Sequence, residues 1–237
     1  MPRSLAVSLR NVYETLAISW PTVLDAAWGR ITVERCNERL ASWSDALVRN
    51  ARMDIEVRGR EHLHVDRTYV VMSNHQSHYD IPVLFHALGS NLRMVTKAEL
   101  FAIPLWGRAM HSAGFISVDR SNRERAIASL RVAKETLARG INVFIAPEGT
   151  RSRTGKLLPF KKGGFNLALD VGLPILPIAI RGTRDALPAE GLRSRTDAEV
   201  RVTILPAVDT APYAAMPGKS GRDRLMDDVR AAIESGL

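Results

Sequence analysis

From residue 54 to residue 206, short apolar runs alternate with longer stretches whose apolar positions recur every three or four residues. The runs 54–59 (DIEVRG), 68–73 (TYVVMS), 92–97 (LRMVTK), 114–119 (GFISVD), 141–146 (INVFIA), 174–180 (PILPIAI) and 200–206 (VRVTILP) are predicted strands, by their length and branched side chains. The spans 80–88, 99–111, 122–139, 164–171 and 221–235 are predicted helices. Strand–helix alternation of this kind predicts an α/β fold, with a mostly parallel sheet flanked by helices. Ligands of such sheets bind beyond the carboxyl ends of the strands.

The first fifty residues follow another rule. Leu5, Leu9, Val12, Leu16, Trp20, Val23 and Ala27 recur at helical steps and form one apolar face, with Pro21 expected to break or kink it. A second stretch sets Ile31, Leu40, Trp43 and Leu47 among Arg30, Arg35, Arg39 and Arg49. Trp20, Trp28 and Trp43 lie in this region, and tryptophan and arginine beside an apolar face suit a membrane interface. A helical hairpin packed on the main domain would show the same periodicity. The expected division is residues 1–50 as an amphipathic membrane-docking segment and 51–237 as the catalytic domain.

Composition narrows the setting. At 237 residues the chain can bury a sizeable core, and 46% hydrophobic with 24% charged residues is ordinary for a folded protein. The single cysteine, Cys36, rules out an internal disulfide framework and fits a reducing compartment. A formal net charge of +8 and a pI near 10.1 favour anionic partners: nucleic acid, anionic lipid or phosphorylated small molecules. There is no recognisable nucleic-acid motif, and six Phe and four Tyr leave little for base stacking, so no nucleic-acid partner is expected. No apolar run reaches eighteen residues, and Arg10 and Glu14 interrupt the stretch after Arg3, so neither a spanning helix nor a signal peptide is predicted.

The chemistry collects at strand ends. Residues 74–80, NHQSHYD, follow the apolar run that ends at Ser73. Histidine moves protons near neutral pH, and a carboxylate on its second ring nitrogen fixes the tautomer. His75 in the turn and Asp80 in the first helical turn could meet in this way. A capping role for Asp80 beside a loop histidine has the same spacing. His75 and His78 form H-x-x-H, but no further His, Cys or Asp cluster completes a metal site. Ser77 lacks the G-x-S-x-G setting of a nucleophile elbow. Other strand ends carry cations: Lys97, Arg120, Arg151 after the turn at Glu148, Gly149 and Thr150, and then Lys161 and Lys162. Lysine and arginine converging on one rim suit a phosphate.

From about Val57 to Asp209 the sequence resembles the 1-acyl-glycerol-3-phosphate acyltransferase family. Asn74, His75 and Asp80 match its N-H-x4-D block, and Gly114, Ile116, Asp119 and Arg120 match the second. Pro147 through Arg151 match the third, and the segment around Pro174 and Pro177 the fourth. H-x4-D alone is weak; four blocks in order are specific. Ser117 and Ala146 depart from the family, which often has bulky aromatics there, and these positions bear on acceptor or chain selectivity. The resemblance implies transfer of an acyl group from acyl-CoA or acyl-carrier protein to the free hydroxyl of lysophosphatidic acid. It implies no metal or organic cofactor. His75 is then the general base, oriented by Asp80. Arg120, Arg151 and Lys97 or Lys161 hold the phosphate, Glu148, Gly149 and Thr150 lie at the substrate, and Asn74 or a backbone N–H faces the oxyanion. It further implies an anionic membrane surface as partner and a peripheral or monotopic place on the cytoplasmic face. Transfer to another lyso-lipid or to glycerol-3-phosphate, and a non-catalytic membrane-binding module, are the alternatives.

Overall fold

In the computed structural model, which describes residues 3–119 and 122–237, the chain runs β1 (Arg3–Ser4), α1 (Leu5–Ala27), α2 (Val33–Asn50), β2 (Asp54–Arg58), β3 (Val70–Ser73), α3 (Asp80–Leu88), β4 (Leu92–Lys97), α4 (Ala98–Phe101), α5 (Trp106–Ser112) and β5 (Ile116–Val118). It continues through α6 (Arg123–Ala138), β6 (Asn142–Ile145), α7 (Gly163–Val171), β7 (Ile175–Arg181), α8 (Thr183–Ala186), β8 (Ser194–Arg195), β9 (Glu199–Ile204), α9 (Ala211–Ala214) and α10 (Ser220–Gly236).

The main sheet has the order β2-β9-β7-β3-β6-β4-β5. The five strands β7, β3, β6, β4 and β5 are mutually parallel, so their carboxyl ends share one edge. β9 runs antiparallel to β7, and β2 pairs parallel to β9. The largely parallel α/β sheet expected from the alternation is present, with this reversed pair at one side.

Successive side chains of a strand point to opposite faces, and β3 feeds two cores in this way. Tyr69 and Val71 join Leu84, Phe85, Phe144 and Ile178 on one face. Val70 and Met72 join Phe165, Leu167, Leu225 and Val229 on the other. Each such side chain, removed from water, contributes about 1.5–3 kcal/mol. With both faces covered, β3 is held rigidly, and so is the turn that leaves it.

Two sequence expectations need correction. The helix expected over 99–111 is two helices. Pro104 cannot donate a backbone hydrogen bond and disfavours helical geometry in the residue before it. At Leu105 (φ 64, ψ −58) the chain makes a γ-turn, with Trp106 N donating to Pro104 O at 2.7 Å. Conversely, of the break or kink expected at Pro21, the break is absent: α1 runs as one helix from Leu5 to Ala27. The hydroxyls of Ser19 and Thr22 donate to the carbonyls of Thr15 and Ile18, adding bonds around the proline.

α1 and α2 form a hairpin, and α1 also lies along α5. The two apolar faces have different fates. That of α2 is packed: Leu40 and Leu47 are buried, and Trp43 meets Phe85 edge-on at 6.2 Å while its ring N–H donates to Thr15 Oγ1. That of α1 is open, with Leu5, Leu9, Val12, Leu16 and Trp20 exposed, Trp20 to 60%. Trp28 is also exposed, under the Arg30 guanidinium at 5.0 Å. Arg35 and Arg39 are not free cations, because both pair with Asp25 and so fasten the hairpin. Their hydrogen bonds and charge hold the Asp25 carboxyl below its usual range, against the opposing effect of desolvation.

Candidate active site

The turn after β3 is anchored before it reaches the histidine. Asn74 is buried; its side-chain Oδ1 accepts from Ile180 N and its Nδ2 donates to Ile180 O, both at 2.8 Å. Gln76 Nε2 donates to the same carbonyl at 2.8 Å. The Asn74 amide thus braces the turn against β7. Ser77 Oγ donates to Leu187 O and accepts from Tyr79 N.

The next residues meet as one unit. His75 Nδ1 lies 2.7 Å from Asp80 Oδ2. The same oxygen accepts from Gln76 N at 2.7 Å and Ser77 N at 2.9 Å, while Oδ1 accepts from Thr183 Oγ1 at 2.5 Å. The Asp80 side chain is wholly buried and that of His75 retains 19% exposure. A buried carboxylate is tolerable only when fully hydrogen-bonded, and Asp80 meets that condition. As an acceptor it keeps a proton on Nδ1, which leaves Nε2 as the basic nitrogen. His78 is exposed and is not hydrogen-bonded to this pair among the described residues, but partial desolvation and the nearby charges of Arg151 and His75, opposed by Asp80, lower its pKa to about 4.

Thr183 was not singled out by sequence reasoning, although it too lies at a strand end. Gly182 makes its position possible. With φ +88 it adopts a conformation that L side chains rarely take, and a Cβ there would lie 1.9 Å from Glu199 O.

Glu148 is 2% exposed. Its Oε1 accepts the backbone N–H of His75 and its Oε2 that of Leu158, each at 2.8 Å. Burial pushes its pKa up, against those two amide bonds, which lower it. Each carboxylate oxygen thus holds one amide of loop backbone. Ser152 N donates to His75 O at 2.7 Å, so the turn after β6 grips the histidine through both its amide and its carbonyl. Gly149, at φ +74, donates its N–H to Ala146 O and closes that turn.

The expected cations fan out along the shared edge. Arg151 sits after β6, the neighbour of β3; Lys97 ends β4, one strand further. With strands about 4.8 Å apart, Lys97 belongs to a strand roughly 10 Å from β3. Lys97, Thr150 and Lys161 are exposed. Arg151 is half-buried, and its Nη1 is buried with no hydrogen-bond partner among the described residues. Desolvation lowers the Arg151 pKa, opposed by the charge of Asp80. An orphaned guanidinium nitrogen inside a site is a ready seat for an anionic oxygen. Arg120 lies outside the described residues. Ser117 lines a groove of about 530 Å³ between α1 and α5, together with Val23, Ala26 and Phe101.

The profile of the Acyltransferase family matches residues 54–181, which is more than half the chain. The chain belongs to this family. Its relatives include a chloroplastic 1-acyl-sn-glycerol-3-phosphate acyltransferase of Brassica napus, 38% identical over 63% of this chain and 43% of the relative. The alpha form of the enzyme of the same name from Mus musculus is 36% identical over 66% of this chain and 55% of the relative. The chain thus spans about half the length of the curated relatives it matches. The crystal structure of the 1-acyl-sn-glycerophosphate (LPA) acyltransferase PlsC of Thermotoga maritima superposes with a TM-score of 0.75 at 25% identity, covering 97% of this chain and 95% of that one. The acyltransferase fold therefore includes the α1–α2 hairpin as well as the sheet.

Proposed function

We propose that this acyltransferase moves a fatty acyl group from acyl-CoA or acyl-carrier protein to the free hydroxyl of 1-acyl-glycerol-3-phosphate, yielding phosphatidic acid. The observation that carries the reading is the 2.7 Å contact of His75 Nδ1 with a buried Asp80 that four donors hold in place. His75 Nε2 takes the proton of the acceptor hydroxyl, and the developing alkoxide attacks the thioester carbonyl. The C–S bond then breaks and the thiol leaves, taking up a proton. Asp80 stabilises the imidazolium that forms between these steps. No acyl-enzyme is needed.

Arg151, with Arg120 and with Lys97 or Lys161 reaching in from the rim, holds the acceptor phosphate. The unpartnered Nη1 of Arg151 supports this. Glu148 enters as a brace on the backbone of His75.

The site works at a bilayer. Among the described residues no helix is long and apolar enough to cross a membrane. The exposed face of α1 supports peripheral or monotopic docking, on the cytoplasmic side where acyl thioesters are held, with anionic lipid attracting the basic chain.

Thiol release from acyl-CoA, measured with lysophosphatidic acid, glycerol-3-phosphate and lysophosphatidylcholine in parallel, tests the assignment. Lysophosphatidic acid should give the highest kcat/KM, with phosphatidic acid as the product. A higher value for either other acceptor overturns the substrate assignment.

A further inference from the structure

The first two described residues and a distant loop make a small separate sheet. β1 pairs antiparallel with β8, Arg3 opposite Arg195 and Ser4 opposite Ser194. Residues directly opposite in an antiparallel pair present their side chains to the same face, and like charges there repel. A chain gains nothing from two facing arginines unless an anion lies between or over them.

The surrounding acids answer the need only in part: besides the hydrogen bonds from Thr196 and Arg52, the charge of Arg195 helps hold the Asp197 carboxyl below its usual range. Asp197 is bonded to Arg52 at 2.6 Å, and Glu190 to Arg153 at 2.6 Å. Arg3, Arg193 and Arg195 have no carboxylate within salt-bridge distance among the described residues, and Arg195 Nε is buried without a hydrogen-bond partner. Beside these cations stands Leu192, 82% exposed. The antiparallel register carries Leu192 toward the first turn of α1, where Leu5 and Leu9 are also exposed. Unpaired arginines around an exposed leucine match a phospholipid interface, with phosphate for the charges and acyl chain for the apolar tip.

The corner is wired to the catalytic turn. Ser194 Oγ accepts from Tyr79 OH at 3.0 Å, Ser194 N donates to Ser8 Oγ at 3.0 Å, and Ser77 Oγ donates to Leu187 O at 2.7 Å. Tyr79 and Ser77 belong to NHQSHYD itself.

We propose that the β1–β8 corner is a seat for an anionic phospholipid headgroup, formed by Arg3, Arg193 and Arg195 with Leu192 inserted beside it. It acts as a second membrane contact and sets the depth and tilt of the catalytic turn at the bilayer. The inference rests on the docking of α1 proposed above and adds to it a headgroup-selective element, built where the strand that leads into α1 pairs with β8.

The test is co-sedimentation of the full chain with phosphatidylcholine vesicles, with and without phosphatidylglycerol. Arg3→Gln with Arg193→Gln, both exposed positions, should weaken binding to the anionic vesicles by up to about thirtyfold and leave binding to neutral vesicles unchanged. Leu192→Glu should weaken binding to both kinds. Turnover on detergent-dispersed acceptor should stay at the parent level in every variant, which also reports that each is folded. Parental binding of the arginine pair to anionic vesicles, or equal loss on both kinds, overturns the headgroup seat. Leu16→Glu with Trp20→Glu separates the two ideas. If it loses binding while the arginine pair does not, only the seat is wrong. If it too binds like the parent, the docking reading fails with it.

Discussion

Glu148 Oε1 accepts the backbone N–H of His75 at 2.8 Å, across 73 residues of sequence. Its other oxygen holds Leu158 N, so a buried carboxylate joins the turn after β3 to the loop after β6. Glu148→Ala leaves two amides without acceptors, at a cost of about 1–3 kcal/mol each. The chain should still fold, with turnover falling through kcat while the KM for lysophosphatidic acid moves little. Steady-state kinetics on folded protein separate this from a substrate contact, which would raise that KM first.

The same residue should leave a pH signature in stability. Burial raises the folded-state pKa of Glu148 above its unfolded value. Over the window from the unfolded pKa up to the folded one, the folded state binds the extra proton, so stability falls as pH rises. The stability of the parent relative to Glu148→Gln should be highest below the ordinary glutamate pKa of 4.5 and decline as pH rises above it. Urea unfolding of both proteins from pH 4 to pH 7 measures this. A difference that grows with pH contradicts it.

Thr183 donates to Asp80 Oδ1 from the end of β7. Thr183→Val keeps the shape and removes the donor, and losing a hydrogen bond to a charged group costs about 1.5–3 kcal/mol. Thermal unfolding should show that loss. Turnover should fall less than in Asp80→Asn, because three donors still hold the carboxylate.

Arg151→Ala removes the cation with an unpartnered buried nitrogen. Apparent KM for lysophosphatidic acid should rise by at least about tenfold, the scale of one lost charge-assisted hydrogen bond, while that for acyl-CoA changes far less. Equal changes in both would point to a structural role.

Strand ends were legible because a doubly covered strand such as β3 must be short and apolar, and its polar continuation is then conspicuous. Spacing alone left the pairing of His75 with Asp80 open against a capping role for Asp80, and it was the match of NHQSHYD to the N-H-x4-D block that pointed to the pair. The partners of Asn74 and Glu148 were not legible. Asn74 binds Ile180, and Glu148 binds His75 and Leu158, through backbone groups that carry no residue identity. Thr183 had a signal, the polar residue after an apolar strand, that went unread. The two amphipathic faces of the hairpin look alike by periodicity. Only the packed structure separates α2, whose face is buried, from α1, whose face is open.

Proton transfer at His75 is the step on which the rest depends. Purified His75→Ala, checked for parental circular dichroism and thermal unfolding, should be assayed for thiol release and phosphatidic acid formation from acyl-CoA and lysophosphatidic acid. The expected result is a loss of turnover of about 10²-fold or more, the scale of a missing general base, with little change in KM for either substrate. Turnover within a few-fold of the parent in that folded variant would contradict the account.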